Sequence, residues 1–223
     1  MAPESTRAAI REAVRAGAQM IELDVQMTKD GRLVIFHDDR LERTTNGSGR
    51  LRDARYAALA RLDVGVWFGA RFAGERILLA SQALQLIPKP LRVNLELKRT
   101  PARRALLSRM GRLLRRARMG RRLLLSSFDT RLLEPLRDTG LPLALICRKN
   151  AEHSLTEAIR LRCESWHPHH PLVTPRRIAR AHTAGLRVHV WTVDDPARAR
   201  RLARWGVDGV FTNNPTRLRS LHT

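Results

Sequence analysis

Short apolar segments alternate with amphipathic segments along most of the chain. Eight segments have the length and apolar composition of β-strands: "MIELDV" (20–25), "LVIFH" (33–37), "RVNLELK" (92–98), "RLLLSSF" (122–128), "PLALIC" (142–147), "CESWH" (163–167), "RVHVWTV" (187–193) and "VDGVFT" (207–212). Between most of them, apolar residues recur with the period of a helix, as at 4–16, 103–122, 129–140, 174–185 and 195–206. Strands separated by amphipathic helices are typical of parallel βα units. The pattern therefore predicts one α/β domain over residues 1–223.

One pair of strand segments leaves no room for a helix between them. Asp30 and Gly31 separate the two, and Asp-Gly is a strong signal for a two-residue hairpin turn. With that turn, Lys29 faces Arg32 and Asp24 faces His37. Setting 33–37 aside as the return strand leaves seven parallel strands, one fewer than a TIM-type (β/α)8 barrel requires. We expect such a barrel with its first strand missing from this chain, and that strand would precede Met1.

Two of the predicted strands carry charged residues on the face that should point inward. Strand periodicity places Glu22 and Asp24 on one face, and Asn94, Glu96 and Lys98 on one face of a second strand. Three carboxylates brought together repel one another unless a cation lies among them, and an all-oxygen set suits Mg²⁺ or Ca²⁺. An alternative is an interior ion pair of Lys98 with Glu22 or Glu96 and no metal.

Histidines occur at two further places where chemistry is conceivable. His37 ends its strand beside the predicted carboxylates, where an imidazole can act as a general acid or base. Lys98 lies near the same end, where an ammonium group could hold a phosphate oxygen. The segment "WHPHHP" (166–171) is bracketed by prolines, and we interpret it as a loop without a metal role.

The charge balance is strongly basic, with 42 lysines and arginines against 21 acidic residues and a net charge of +21. Such a surface attracts anions, including phosphodiesters, nucleic acid and anionic headgroups. We interpret 103–122, the densest cluster of arginines, as an amphipathic helix that covers a core. No aromatic residue interleaves with it to stack bases, so no specific nucleic-acid partner is expected. Peripheral attraction to anionic surfaces stays open.

The remaining composition bears on the cellular compartment of the protein and on the chemistry of its two cysteines. No run of 18 apolar residues and no secretory signal occur, so we expect no transmembrane segment and a cytoplasmic location. Cys147 and Cys163 lack the spacing of a disulfide framework or of a zinc site. We expect buried or idle thiols.

The segment "APESTRAAIREAVRAGAQMIELDVQMTKDGRLVIFHDDRLERTTNGSGRL" (2–51) resembles the opening of bacterial glycerophosphodiester phosphodiesterases of the cytoplasmic type. The likeness continues through "LDVGVWF", "FAGE", "NLELK", "SSF", "AGLRVHVWTVDD" and "GVDGVFTNNP". The resemblance implies a barrel enzyme of lipid and glycerol metabolism, a phosphoric diester hydrolase. It would hydrolyse glycerophosphodiesters to an alcohol and sn-glycerol 3-phosphate with a divalent cation, Mg²⁺ or Ca²⁺. Matching motif positions implies seven site residues: metal ligands Glu22, Asp24 and Glu96, catalytic residues His37 and Lys98, and substrate-pocket residues Phe128 and Trp191.

The sequence also departs from this family pattern. The family's opening strand, which carries His-Arg-Gly, does not precede "APEST" here, and Ser5 replaces an asparagine, although serine can still cap the helix. Three interpretations stay open. The working enzyme extends upstream of Met1, or the chain is a truncated and catalytically impaired relative that still binds phosphodiesters, or it is a basic polyanion-binding protein that uses the barrel as a scaffold.

Overall fold

The computed structural model describes residues 1–219, which form eight strands and nine α-helices. The strands are β1 (Met20–Met27), β2 (Leu33–Ile35), β3 (Arg92–Leu97), β4 (Leu123–Ser127), β5 (Leu143–Cys147), β6 (Ser165–Pro168), β7 (Arg187–Val190) and β8 (Gly209–Val210). The helices are α1 (Arg7–Arg15), α2 (Tyr56–Leu59), α3 (Ala80–Gln85), α4 (Arg103–Ala117), α5 (Thr130–Leu133), α6 (Ala151–Arg160), α7 (Pro175–Thr183), α8 (Pro196–Arg204) and α9 (Pro215–Leu218). The chain divides into two compact units, Met1–Arg122 and the part from Leu123 onward.

In the first unit, β1 lies between β2 and β3. Its residues Met20–Val25 pair in parallel with Arg92–Leu97, so Glu22 is opposite Asn94 and Asp24 is opposite Glu96. The alternate residues of β1, such as Leu23, are buried on the other face. The predicted parity of β1 and β3 is therefore confirmed.

The helix before β1 begins one turn later than the sequence suggested. Thr6 is the N-cap of α1, and its hydroxyl oxygen accepts a hydrogen bond from the backbone N–H of Ala9 at 3.1 Å. Ser5 lies outside the helix in the left-handed region, with φ of 60°. The prediction that Ser5 caps the helix is wrong, because the neighbouring hydroxyl has the extended backbone that a cap requires.

The hairpin between β1 and β2 has a longer turn than predicted. Val25 pairs with Ile35 and Met27 with Leu33, and the N–H of Thr28 donates to the carbonyl of Arg32 at 3.0 Å. The turn is thus the three residues 29–31, with Gly31 at φ of 75°, which is the other common hairpin connection. The predicted facing pairs of Lys29 with Arg32 and Asp24 with His37 are wrong by one residue.

The segment between β2 and α3 packs over an apolar cluster and contains the short helix α2. The cluster contains Val34, Phe36, Leu41, Leu51, Leu59, Val64 and Ile77. Within this segment the loop 63–76 is organised by Asp63. Its carboxylate accepts hydrogen bonds from the backbone N–H groups of Gly65, Val66 and Gly74. The loop exposes the apolar side chains of Val66, Trp67 and Phe68.

In the second unit, β4 to β8 are parallel and each strand is paired with the next. Thr174 and Asp195 cap α7 and α8 through their side chains, and glycines with positive φ follow both helices. Helix α6 was not among the predicted helices. The predicted helix 129–140 is shorter, since Pro135 cannot donate within a helix and the chain continues as a 3-10 turn after Leu133.

Two further expectations are decided by the fold. His167 lies in β6 and is buried, so "WHPHHP" is not entirely a loop. Cys147 and Cys163 are free and buried, as expected, and burial raises the pKa of the Cys163 thiol to about 12. Among residues 1–219, none of the helices is long and apolar enough to span a bilayer.

Candidate metal centre and active site

Three carboxylates from β1 and β3 meet in the first unit. Glu22, Asp24 and Glu96 each offer an oxygen, and these oxygens all lie within 4.8 Å of one another. The pairing of two parallel strands in register produces this arrangement, because Glu22 and Asp24 share a strand face and Glu96 is the cross-strand partner of Asp24. Asp24 and Glu96 are buried, whereas solvent reaches Glu22.

Lys98 balances part of this negative charge. Its Nζ lies 3.2 Å from Asp24 Oδ1 and 3.0 Å from Glu96 Oε1. Burial alone would lower the pKa of Lys98, but the two carboxylates outweigh it, and the net pKa is raised. The sequence alternative of an interior ion pair is therefore present for Glu96, although no ion pair of Glu22 accompanies it among the described residues.

The lysine leaves the centre short of positive charge. The surrounding protein, followed by repulsion from Asp24 and Glu96, raises the pKa of Glu22 well above its usual value. Because solvent reaches the Glu22 side chain, repulsion among the carboxylates contributes more to this raised pKa than desolvation does. Burial and Asp24 likewise raise the pKa of Glu96, against the opposing charge of Lys98. Three carboxylates facing one ammonium group are the electrostatic condition that a divalent cation relieves.

The donor set fits such a cation. All three carboxylates supply hard oxygen atoms, the ligands preferred by Mg²⁺ and Ca²⁺. Asn94, which is opposite Glu22, has a buried Oδ1 that lacks a hydrogen-bond partner within residues 1–219. A buried acceptor without a donor is rare and requires an explanation. Asn94 Oδ1 would have a partner if it were itself an oxygen ligand of the cation, or if it accepted a hydrogen bond from a group that holds a ligand in place.

His37 lies just beyond β2, and its environment differs from the prediction. Its Nδ1 is 2.6 Å from Asp38 Oδ1, and its side chain is about half exposed. It remains close enough to Glu96 to oppose, by a small amount, the burial and the repulsion from Asp24 that raise the pKa of that carboxyl. His37 therefore belongs to the same region as the carboxylates, although Asp38 and not Asp24 is its hydrogen-bond partner.

A network of side chains that the sequence did not identify surrounds this histidine. Arg43 donates to Asp38 and to Glu4, which ties the His37 segment to the segment that precedes α1. Gln26 donates from Nε2 to the carbonyl oxygens of Phe36 and Asp38 at 3.0 and 2.7 Å. Gln26 could have been suspected, because it continues the Glu22 and Asp24 face of β1. The sequence carries no signal for the contacts of Arg43.

The second unit brings together the two aromatic residues implied by the resemblance. The rings of Phe128 and Trp191 meet edge to face with centroids 5.5 Å apart, and nearly half of Phe128 is exposed. His169 lies against Trp191 at 4.8 Å, and the Arg148 guanidinium is 5.6 Å from the centroid of the same ring. The indole N–H of Trp191 donates to the His167 carbonyl at 2.8 Å, which fixes the ring.

Similarity to solved structures confirms the predicted α/β TIM-type barrel class. The chain matches the structure of an Oleispira antarctica phosphodiesterase in complex with the product sn-glycerol-3-phosphate, with a TM-score of 0.93 and 28% identity, over 100% of this chain and 92% of the other. A glycerophosphodiester phosphodiesterase structure from Agrobacterium tumefaciens matches with a TM-score of 0.85 and 27% identity, over 99% and 94% of the two chains.

Sequence relatives agree with this similarity. A glycerophosphodiester phosphodiesterase of Caldanaerobacter subterraneus is 33% identical over 98% of this chain and 92% of its own length. A Bacillus subtilis protein is 36% identical over 96% of this chain and 90% of its own length. The model of the glycerophosphoryl diester phosphodiesterase family matches residues 1–217. With that match over nearly its whole length, the chain belongs to the glycerophosphoryl diester phosphodiesterase family.

Proposed function

We propose that this chain catalyses the metal-dependent hydrolysis of glycerophosphodiesters to an alcohol and sn-glycerol 3-phosphate. The observation that carries the proposal is the group of three carboxylates whose oxygens lie within 4.8 Å of one another. Family membership and the product named for the Oleispira antarctica structure support the substrate class. The roles of the individual residues are part of the proposal.

Glu22, Asp24 and Glu96 would hold the cation, which we propose to be Mg²⁺ or Ca²⁺. When bound, such an ion polarises a phosphoryl oxygen and offsets the charge that develops during displacement. The carboxylates of β1 and β3 are held by paired strands, so they are positioned before the substrate binds. That rigidity suits electrostatic stabilisation, which requires groups already oriented toward the reacting atoms.

His37 would transfer the proton and Lys98 would contact the phosphate. Asp38 accepts from Nδ1 of His37, which leaves Nε2 to exchange a proton with a substrate hydroxyl. In an in-line displacement at phosphorus, the attacking hydroxyl loses a proton and the leaving alcohol gains one. We assign His37 to one of these two transfers. The ammonium group of Lys98 would stabilise negative charge on the phosphoryl oxygens.

Phe128 and Trp191 would contact the apolar edge of the substrate. Their edge-to-face contact and the exposed Phe128 ring support a surface on which carbon atoms can pack. The expected cytoplasmic location stays a prediction, which cell fractionation would check.

Glu22→Gln tests the proposal. The substitution keeps the size of the side chain and removes one anionic ligand, so we expect release of sn-glycerol 3-phosphate from glycerophosphocholine to fall by at least about 100-fold. Glu12→Gln makes the same change on α1, away from the carboxylates, and should leave the rate within about twofold. Calorimetry should show that Glu22→Gln weakens binding of Mg²⁺ or Ca²⁺ to the protein.

Two results would contradict the proposal. One is turnover that survives both Glu22→Gln and removal of divalent ions by a chelator. The other is a chain that binds heparin with a steep salt dependence, releases no product, and is unaffected by Glu22→Gln. The second result would favour the polyanion-binding interpretation.

A further inference from the structure

The outer face of α4 concentrates positive charge on one side of a helix. Its exposed arginines are Arg104, Arg109, Arg112, Arg115 and Arg116, here called the arginine face. At about 100° per residue these positions lie within an arc of about 140° around the helix axis. Leu106 and Met110 are buried on the opposite side, and the half-buried Leu107 and Leu113 border the arc.

No carboxylate neutralises this face. The sequence contains no acidic residue between Glu96 and Asp129. Within residues 1–219, none of the five arginines lies within ion-pair distance of a carboxylate; the recorded contact of Arg112 is a 3.0 Å hydrogen bond to Ser108. The guanidinium of Arg109 lies over Gly31, at the turn between β1 and β2.

Arginines on α6 and α7 are arranged differently. Arg177 and Arg180 of α7 both pair with Glu152, at 2.8 and 2.5 Å. Arg160 of α6 pairs with Glu134 and Glu157. The exposed Arg200, Arg201 and Arg204 of α8 also lie beyond ion-pair distance of a carboxylate among the described residues. Helix α4 differs in carrying five such arginines on one face, bordered by leucines.

The shape and composition of the arginine face favour a bilayer over nucleic acid. The 15 residues of α4 present an extended surface about 22 Å long. Residues 98–127 contain no aromatic side chain, so stacking on unpaired bases has no support there. The leucines that border the arginines are suited to the boundary between headgroups and acyl chains, where amphipathic helices lie.

We propose that the arginine face of α4 binds bilayer surfaces that carry anionic phospholipid headgroups. The contact is peripheral: guanidinium groups bind lipid phosphates while the buried side of α4 stays packed on its own unit. This surface is separate from the carboxylates of β1 and β3, and it requires no catalytic residue. It would keep the protein at membranes by charge, so binding should weaken as salt rises.

Cosedimentation with vesicles tests the proposal. The protein should bind vesicles of phosphatidylcholine mixed with phosphatidylglycerol and not vesicles of phosphatidylcholine alone. The triple variant R112Q/R115Q/R116Q should bind the anionic vesicles on the order of 100-fold more weakly, since each arginine near such a surface contributes about a fivefold gain. The matched control R160Q/R177Q/R180Q removes the same charge from paired arginines and should bind within about threefold of the unmodified protein.

Further variants separate loss of binding from loss of structure. Glutamine is nearly as good a helix former as arginine, so R112Q/R115Q/R116Q should keep its circular dichroism spectrum and its turnover of a soluble glycerophosphodiester. R112K/R115K/R116K keeps the charge and should retain vesicle binding within about threefold.

Three outcomes would overturn the proposal. The first is equal binding to neutral and anionic vesicles. The second is an equal loss in the two glutamine triple variants, which would mean that net charge alone is responsible. The third is a loss of duplex DNA binding in R112Q/R115Q/R116Q with vesicle binding intact, which would assign the face to nucleic acid.

Discussion

Replacing Asp38 by asparagine tests the proton-transfer role of His37. Two hydrogen bonds from Arg43 are the main reason that the pKa of Asp38 falls to about 2. Burial opposes this fall, and the bond from His37 adds a smaller contribution to it. Asp38 is therefore ionised near neutral pH and can only accept a hydrogen bond from the Nδ1–H of His37, at 2.6 Å. The carboxylate thereby selects the tautomer whose unprotonated nitrogen is Nε2.

The expected magnitude follows from this pKa. A fall from 3.8 to about 2 corresponds to about 2 kcal/mol in favour of the ionised form, of which Arg43 supplies the larger share. With a quarter of the Asp38 side chain exposed, solvent screening leaves about 1 kcal/mol or less for the contact with His37. An asparagine amide can also rotate and donate to Nδ1, which stabilises the opposite tautomer. We expect kcat to fall between about 10-fold and 100-fold, with KM changed by less than about threefold.

Initial rates of sn-glycerol 3-phosphate release from glycerophosphocholine would measure this effect. Asp39→Asn is the matched control, since the neighbouring Asp39 is exposed and its backbone carbonyl, not its carboxylate, accepts from Leu51. Thermal melting of both variants corrects each rate for any unfolded fraction. An unchanged kcat in Asp38→Asn, or an equal loss in Asp39→Asn, would refute the role of Asp38 in orienting His37.

Two further predictions concern the loop 63–76. Hydrogen bonds from three backbone N–H groups lower the pKa of Asp63 to about 2, below the value of about 4 in an unfolded chain, so its stabilisation is present above about pH 4 and is lost as the pH falls toward 2. Asp63→Asn should lower the free energy of unfolding at pH 7 by about 2 kcal/mol and flatten its acid dependence in urea melts; an unchanged acid dependence would contradict this. A Cβ on Gly65 would lie 1.9 Å from the Phe72 carbonyl oxygen, so Gly65→Ala should cost about 3 kcal/mol. Gly111→Ala, within α4 and without a close contact, should stabilise the protein by up to about 1 kcal/mol. Equal melting temperatures of the two alanine variants would contradict the prediction for Gly65, because the loop would then accommodate the added methyl group.

The carboxylate cluster could be predicted because it depends on little more than strand identity. Once 20–25 and 92–98 are assigned as strands, the alternation of side chains along each strand fixes the faces of Glu22, Asp24 and Glu96. Parallel pairing of β1 and β3 then brings those faces together. The helix caps at Thr174 and Asp195 can likewise be predicted from the sequence, since a cap depends on residues that are adjacent in the chain.

The surroundings of His37 could not be predicted by the same means. Asp-Gly signals a hairpin but does not fix the number of turn residues. Here the Thr28 hydroxyl accepts from the N–H of Arg32 and bonds to the Asp30 carboxylate, which favours the three-residue turn. The partnership of Asp38 with Arg43 depends on how the segment after β2 folds back, and local sequence does not encode that path.

The length of the turn at 29–31 couples an exposed loop to the chemistry beside β1. In an antiparallel pair, removing one turn residue exchanges the inward and outward faces of the return strand. The present length places the N–H of Phe36 on the Asp24 carbonyl and lets the Phe36 ring join the apolar cluster, while His37 remains accessible beyond the strand. Relatives that keep this site should therefore vary the identity of the turn residues more freely than their number, and an insertion there should act on proton transfer without touching any reacting group.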